Sequence, residues 1–178
     1  MSLNNQSIFS PDIQEPDSLM EWREHTGSLT DKLYDARGST DLEVIAQNWS
    51  NRDWWEHYFL KIKSNRVFLR EIVMKNAGVE YWYARTIIPQ SCYDLNTEFF
   101  KRLEHESIRN LIFGEESVKR LNRVCYPVNS ENIEYHWVKN HIKSVSGILW
   151  VRLAEYAVHN KESFFLIEIL LPELETVL

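Results

Sequence analysis

Two segments with the composition of β-hairpins constrain the fold of this chain most strongly. Each contains two runs rich in β-branched and aromatic residues around a short polar loop, as expected for paired antiparallel strands. The first loop contains Gly78, and Pro172 closes the last run. The four predicted strands are residues 66–74, 80–88, 148–158 and 163–171.

Apolar residues at helical spacing occur before and between the two hairpins. They predict helices over residues 17–25, 28–36, 97–105, 108–113 and 115–123, and a further strand is predicted over residues 41–49. Residues 126–146 are polar and predict an irregular excursion. Helices that cover an antiparallel sheet define the α+β class. We therefore expect one domain over residues 17–178, preceded by a flexible N-terminal tail at residues 1–16.

The composition limits where the chain works and what it binds. A formal net charge of −6 opposes binding to phosphate backbones, so nucleic acid is not an expected partner. Cys92 and Cys125 have no metal-ligand spacing, which fits a reducing compartment. No apolar run approaches the ~18 residues of a membrane-spanning helix, and the first residues lack the features of a signal peptide. These features predict a cytoplasmic protein, and we expect a monomer.

Three charged residues interrupt strands that are otherwise apolar. Arg70 and Arg85 lie in the first hairpin, and Glu168 is the only polar residue from Phe164 to Leu171. A buried charge without a partner is costly, so each of these residues needs an opposite charge, hydrogen bonds or a ligand. Two interpretations are compatible with these three residues. The charges form ion pairs within the core, or the arginines clamp the carboxylates of a dianionic small molecule.

Four short motifs occur in chain order, namely Leu69-Arg-Glu-Ile72, Ala84-Arg-Thr-Ile-Ile-Pro89, Leu111-Ile-Phe113 and Leu166-Ile-Glu-Ile-Leu-Leu-Pro172. Together they resemble the chorismate pyruvate-lyases, the 4-hydroxybenzoate synthases of bacterial ubiquinone synthesis. The resemblance is strongest in the two hairpins. It implies a six-stranded antiparallel sheet with helices over it and a closed internal site for the ligand.

The resemblance also implies which residues form the site and which reaction they perform. In this family an arginine on a central strand and a glutamate on the last strand hold the ligand, and these roles fall on Arg70 and Glu168. Main-chain groups at Leu29 and Ile108 are the other implied contacts. Chorismate would lose its enolpyruvyl group as pyruvate and become 4-hydroxybenzoate, the first committed step of ubiquinone synthesis, without a metal or other cofactor.

On this basis each charge receives a role. We expect Arg70 to bind the ring carboxylate of chorismate and Arg85 to bind the enolpyruvyl carboxylate. Glu168 is expected at the ring hydroxyl end, where it assists proton transfer. Arg70 and Glu168 are thus the predicted catalytic residues.

Three features depart from the family pattern. Arg109 follows Ile108 where the family usually has glycine, which can alter how closely the backbone approaches a ligand. Of an arginine and a serine that precede the last hairpin in the family, only Arg152 remains. The stretch 114–147 is longer than usual and indicates an altered lid or a partner surface.

Other signals carry less weight. His136 and His141 are five residues apart without a cysteine nearby, a generic spacing for a metal site. Ser91 and Cys92 lack the sequence that surrounds a catalytic nucleophile. The rival hypothesis is a binding protein of the same fold that holds an aromatic carboxylate without turning it over. The related effector domains of helix-turn-helix repressors act in this way, but the acidic charge disfavours a repressor.

Overall fold

The computed structural model describes residues 17–177, so the predicted tail at residues 1–16 lies outside the described residues. The strands are β1 (Asp41–Asn51), β2 (Arg66–Asn76), β3 (Val79–Pro89), β4 (Val118–Val128), β5 (Leu149–Val158) and β6 (Glu162–Leu170). The helices are α1 (Asp17–Glu24), α2 (Leu29–Arg37), α3 (Trp54–Tyr58), α4 (Gln90–Leu95), α5 (Thr97–Lys101), α6 (Ile108–Gly114) and α7 (Ile133–His141). Two 3-10 turns are Arg102–Glu104 and Pro172–Thr176. No helix within residues 17–177 is long and apolar enough to cross a membrane.

The six strands form one antiparallel sheet in the order β1-β2-β3-β6-β5-β4. Each predicted hairpin is present, as β2–β3 and as β5–β6. The two hairpins join through the pairing of β3 with β6, which places both of them at the centre of the sheet. The α+β class and the six-stranded antiparallel sheet are therefore confirmed.

Both faces of the sheet are buried. We call the side that carries Phe68, Ile72 and Leu166 the front face, and helices α1, α2, α4, α5 and α6 pack over it. The opposite side, the back face, carries Val67 and Ile167 and is covered by α3 and α7. Each fully buried aliphatic or aromatic side chain contributes about 1.5–3 kcal/mol. Two cores around one sheet explain why the central strands are apolar on both faces.

A β-bulge in the first hairpin determines which side chains share a face. Ala77 and Gly78 both have positive φ, 50° and 80°, as a two-residue primed turn requires. Next to this turn Lys75 pairs with Glu80, but Met74 pairs with Trp82. Tyr81, which lies between Glu80 and Trp82 on β3, is therefore an additional residue without a partner on β2. From that point the register of β3 is shifted by one residue, which exchanges the two faces for every later side chain.

The stretch between the hairpins differs from the sequence prediction. Residues 115–123 were expected to be helical, but from Val118 onward they form the start of β4, and residues 126–146 contain α7 rather than an irregular loop. The segment is rich in Glu, Lys and Arg, which favour helix in isolation. Pairing with β5 along the length of β4 overrides this local preference, and a bulge between Arg120 and Asn122 obscures the alternation.

Candidate functional site

Arg70 is a buried cation on the front face, at the middle of β2. Arg70 is 4% exposed, and burial lowers the pKa of its guanidinium. Nε donates to Gln47 Oε1 at 3.2 Å, and Nη2 donates to the carbonyl of Glu106 at 3.4 Å. Within residues 17–177 no carboxylate forms an ion pair with this guanidinium. The fold thus holds a positive charge out of water without neutralising it, which is the property of an anion-binding group.

Glu168 lies on the same face, towards the C-terminal end of β6, and does have a charged partner. The sheet register places it directly opposite Arg152 on β5, and the Arg152 Nε to Glu168 Oε2 distance is 3.4 Å. Arg152 also donates to the carbonyls of Trp22 at 2.9 Å and His25 at 3.1 Å. The last turn of α1 and the loop after it therefore fix Arg152, which in turn fixes the Glu168 carboxylate.

Arg152 was recognised from the sequence only as the remainder of a family motif. The signal that singled out Arg70 was nevertheless present, because Arg152 interrupts an apolar strand that contains Trp150 and Ala154. Gln47, the partner of Arg70, was missed for a different reason. Its contact depends on the register between β1 and β2, which includes a bulge between Val44 and Ala46.

Arg70 and Glu168 are separated by one strand, β3. Arg70 pairs with Thr86, and Glu168 pairs with Ala84. With strands about 4.8 Å apart and about 3.4 Å per residue, the Cα atoms of Arg70 and Glu168 lie about 12 Å apart. The short side chains of Ala84 and Thr86 stand between them on the front face. This spacing separates the two charged groups without placing a bulky side chain on the strand between them.

Leu29 and Ile108 each occupy the first position of a helix that covers the front face. Ser28 caps α2, and Ser107 caps α6, each accepting a main-chain hydrogen bond from the following turn. The first N–H groups of a helix have no partner within it. The structure thus places both residues where main-chain donors are available, and their contact with a ligand stays a prediction.

The side chain of Arg109 points away from the sheet. Its Nε lies 2.7 Å from Asp31 Oδ1, and the two side chains are 44% and 50% exposed. The ion pair joins the N-terminal turn of α6 to that of α2. Arg109 therefore links the two helices that begin at Ile108 and Leu29, and its bulk lies at the surface rather than between α6 and the sheet.

Arg85 requires a correction, because the structure places it on the back face. Its Nη2 lies 3.4 Å from Glu56 Oε1 and its Nη1 lies 3.6 Å from Glu71 Oε1, while its Cζ is 4.3 Å from the centre of the Trp137 ring. The Tyr83 hydroxyl completes the cluster by donating to Glu71 at 2.5 Å. The bulge in β3 is the physical reason, since it turns Arg85 towards Glu71 and away from the side of Arg70. The expectation that Arg85 shares a site with Arg70 is wrong, and an ion pair within the core describes Arg85.

Cys92 is fully buried on α4, and we expect it to be unreactive. Burial raises the pKa of its thiol to about 12, so at pH 8 only about one thiol in 10⁴ is a thiolate. We expect a thiol-specific reagent to modify Cys92 at least ~100-fold more slowly in the native protein than in urea. Peptide mapping after timed alkylation measures this and separates Cys92 from Cys125. Rapid modification of native Cys92 would reopen the nucleophile hypothesis.

The fold and the buried charges together define an α+β domain in which helices cover charged groups on one face of an antiparallel sheet. The family model described as "Chorismate lyase" matches residues 3–176. The chain belongs to the chorismate lyase family.

Curated relatives carry the same family name at low identity. A probable chorismate pyruvate-lyase from Pasteurella multocida (strain Pm70) is 31% identical over 90 residues, which cover 50% of this chain and 53% of that relative. A probable chorismate pyruvate-lyase from Shewanella sp. (strain ANA-3) is 26% identical over 156 residues, which cover 86% of this chain and 80% of that relative. The first alignment thus spans about half the length of the relative it matches.

Solved structures with a similar fold include a transcriptional regulator and an effector domain. A GntR-family regulator from Bacillus cereus has a TM-score of 0.57 at 13% identity, over 75% of this chain and 92% of that one. The effector domain of PhnF from Mycobacterium smegmatis has a TM-score of 0.55 at 13% identity, over 83% and 90%. At such identity the likeness shows a shared fold alone.

Proposed function

We propose that this protein converts chorismate to 4-hydroxybenzoate and pyruvate, and thereby performs the first committed step of ubiquinone synthesis. Family membership supports the reaction class. The observation that carries the proposal is Arg70, a buried cation with no carboxylate partner in residues 17–177, on the same face as Glu168. A charge buried in this way is retained at a cost that a bound carboxylate would offset.

In this proposal Arg70 binds the ring carboxylate of chorismate. Its Nη1 makes no hydrogen bond to the part of the chain that the structure describes, so it is free to donate to a ligand. The contacts of Nε with Gln47 and of Nη2 with Glu106 orient the guanidinium plane. Low exposure strengthens the attraction between the guanidinium and a carboxylate, because little water screens it.

Glu168 is proposed to act at the ring hydroxyl end of the substrate. The reaction breaks the carbon–oxygen bond to the enolpyruvyl group and removes the proton from the carbinol carbon, after which the ring is aromatic. The departing enolate of pyruvate takes up one proton at its methylene carbon and becomes pyruvate, so the proton lost from the ring balances the reaction. A carboxylate held by Arg152 beside the carbinol carbon can accept the proton and pass it on. Arg152 is a positioning residue for Glu168 in this scheme.

The remaining ligand contacts come from the helices. With Arg85 on the back face, Leu29 and Ile108 remain the proposed main-chain contacts, at the N-terminal turns that Arg109 and Asp31 tie together. The enolpyruvyl carboxylate therefore loses the partner that the sequence suggested for it.

Replacing Glu168 with glutamine is expected to lower kcat for chorismate at least ~100-fold, because the amide cannot accept the carbinol proton. The amide oxygen can still accept a hydrogen bond from Arg152, so the midpoint of thermal unfolding should change little. The measurement follows 4-hydroxybenzoate and pyruvate in parallel. Glu162→Gln, at the other end of the same strand, is the matched control. Full activity of Glu168→Gln would contradict the assigned role.

One assay separates the lyase from the rival binding protein. Purified protein is incubated with chorismate, and both products are quantified against a no-protein reaction. Equimolar formation of the two products over many turnovers supports the lyase, whereas tight binding of 4-hydroxybenzoate without turnover supports the binding protein. Restoration of ubiquinone in a bacterium that lacks its own chorismate lyase tests the pathway step.

A further inference from the structure

Helix α3 exposes three aromatic side chains to solvent. Trp54 is 56% exposed, Tyr58 is 63% exposed and Phe59, just after the helix, is 43% exposed. Trp54 and Tyr58 are four residues apart and lie on one side of the helix, and the Trp54 ring lies 6.2 Å from that of Phe59. A cluster of large aromatic side chains exposed to solvent in this way indicates a contact surface.

The rest of α3 is firmly anchored, so this exposure is not the result of a loose helix. Trp55 is buried and meets Trp137 of α7 edge to face at 5.0 Å. Asp53 and Glu56 form a capping box at the N-terminus of the helix. The buried side of α3 is therefore held against the protein, while its aromatic side faces solvent.

The turn after α3 is basic, in contrast to the acidic chain as a whole. Lys61 and Lys63 are exposed, and neither forms an ion pair with any carboxylate in residues 17–177. The two acidic residues of this segment are committed elsewhere, since Asp53 caps the helix and Glu56 is buried next to Arg85. With a formal net charge of −6 for the chain, this turn is a local reversal of sign.

We propose that the aromatic–basic patch, composed of Trp54, Tyr58, Phe59, Lys61 and Lys63, docks this protein peripherally on an anionic phospholipid surface. Tryptophan and tyrosine favour the interface between headgroups and acyl chains, and lysines next to them are attracted by anionic lipids. The patch is too small for a stable protein interface, which takes about 20–30 residues on each side. Insertion of a few side chains into a bilayer surface needs no larger area.

The position of the patch is compatible with the proposed activity. Helix α3 covers the back face, whereas Arg70 and Glu168 lie on the front face. A membrane bound at the patch would leave the helices over the front face uncovered. The proposal is therefore independent of the lyase reaction, and either can fail without the other.

Sedimentation with lipid vesicles tests the proposal on the full chain. We expect the protein to pellet with vesicles of phosphatidylcholine and phosphatidylglycerol in equal parts, and not with phosphatidylcholine alone. High salt should weaken the binding because it screens the lysines. In the mixed vesicles, brominated lipid should quench tryptophan fluorescence, and Trp54→Ala should remove that quenching.

Two pairs of substitutions separate the aromatic and basic contributions. Trp54→Ala with Tyr58→Ala should lower the partition coefficient at least ~10-fold, since their apolar rings leave water on binding. Lys61→Glu with Lys63→Glu should lower it at least ~30-fold, from two lost lysine attractions. The matched controls are Leu121→Ala and Lys119→Glu with Lys161→Glu, which alter exposed residues elsewhere and should bind as the wild type does.

Failure of the wild type to pellet with the mixed vesicles would overturn the proposal, and a protein partner would then be the better explanation of the patch. Equal decreases in the vesicle partition coefficient of the patch variants and the controls would also overturn it, because they would indicate a non-specific effect of charge. Circular dichroism of each variant tests whether the fold is retained. The four substituted residues of the patch, Trp54, Tyr58, Lys61 and Lys63, are all exposed.

Discussion

Replacement of Arg70 by methionine is expected to lower kcat/KM for chorismate about 10³-fold, which corresponds to ~4 kcal/mol. The guanidinium is proposed to hold the ring carboxylate with two charge-assisted hydrogen bonds, each contributing about 1.5–3 kcal/mol. Initial rates of 4-hydroxybenzoate formation measure the effect. Arg66→Met is the matched control, because Arg66 is exposed at the start of the same strand and should be dispensable for turnover.

The same substitution makes an opposite prediction for stability. Arg70 is buried without an ion-pair partner in the described residues, and only two hydrogen bonds to protein groups stabilise it. Methionine removes the desolvated charge, so the free energy of unfolding should stay within about 1 kcal/mol of the wild type or rise. Urea denaturation provides the measurement. A loss of about 3 kcal/mol or more, or unchanged turnover, would show that Arg70 stabilises the fold instead of binding the ligand.

Replacement of Arg85 by methionine is expected to have the reverse signature, a large loss of stability with little effect on turnover per folded molecule. Arg85 lies between the buried carboxylate of Glu56 and the partly buried carboxylate of Glu71, and its removal leaves both without their main counter-charge. Breaking a buried ion pair by removing one partner costs about 3–5 kcal/mol. Active-site titration at low temperature, together with urea denaturation, separates the two effects.

The loss caused by Arg85→Met should depend on pH in a defined direction. Burial already raises the pKa of Glu56, so the folded state takes up a proton more readily than the unfolded state does. Stability associated with this group therefore increases as pH falls from neutrality towards the usual carboxyl range. We expect the difference in the free energy of unfolding between Arg85→Met and the wild type to narrow over that range. Adding Glu56→Gln to Arg85→Met should recover part of the lost stability at neutral pH. A stability difference that widens on acidification, or a loss of turnover in Arg85→Met as large as that in Arg70→Met, would indicate that Arg85 contacts the ligand.

The two hairpins could be predicted from sequence because their information is local. β-Branched and aromatic runs around Gly78 and around His159 specify strand and turn with little help from the rest of the chain. β4 could not be predicted in the same way. Its residues favour helix, and only β5, more than twenty residues further along the chain, makes them a strand. Tertiary pairing of this kind leaves no local signature.

The candidate site was predicted in part, and its errors have a common cause. Alternation along a strand indicates which residues share a face within that strand, and it correctly grouped Arg70 with Phe68 and Ile72. It does not indicate how the faces of two strands correspond, because that depends on register. Arg85 was therefore assigned to the wrong side, and Arg152 was not connected with Glu168, its direct neighbour across the pair.

Tyr81, the additional residue in β3, divides the guanidinium groups of one hairpin between two sides of the protein. The turn alone would place Arg85 opposite Arg70, because Asn76 pairs with Val79 and every earlier residue would follow in step. A relative without the additional residue would carry both arginines over the same face and could hold a ligand with two carboxylates more strongly. The number of residues between the turn and the arginine, rather than the arginine itself, therefore decides whether one or two guanidinium groups of such a hairpin face the same side of the sheet.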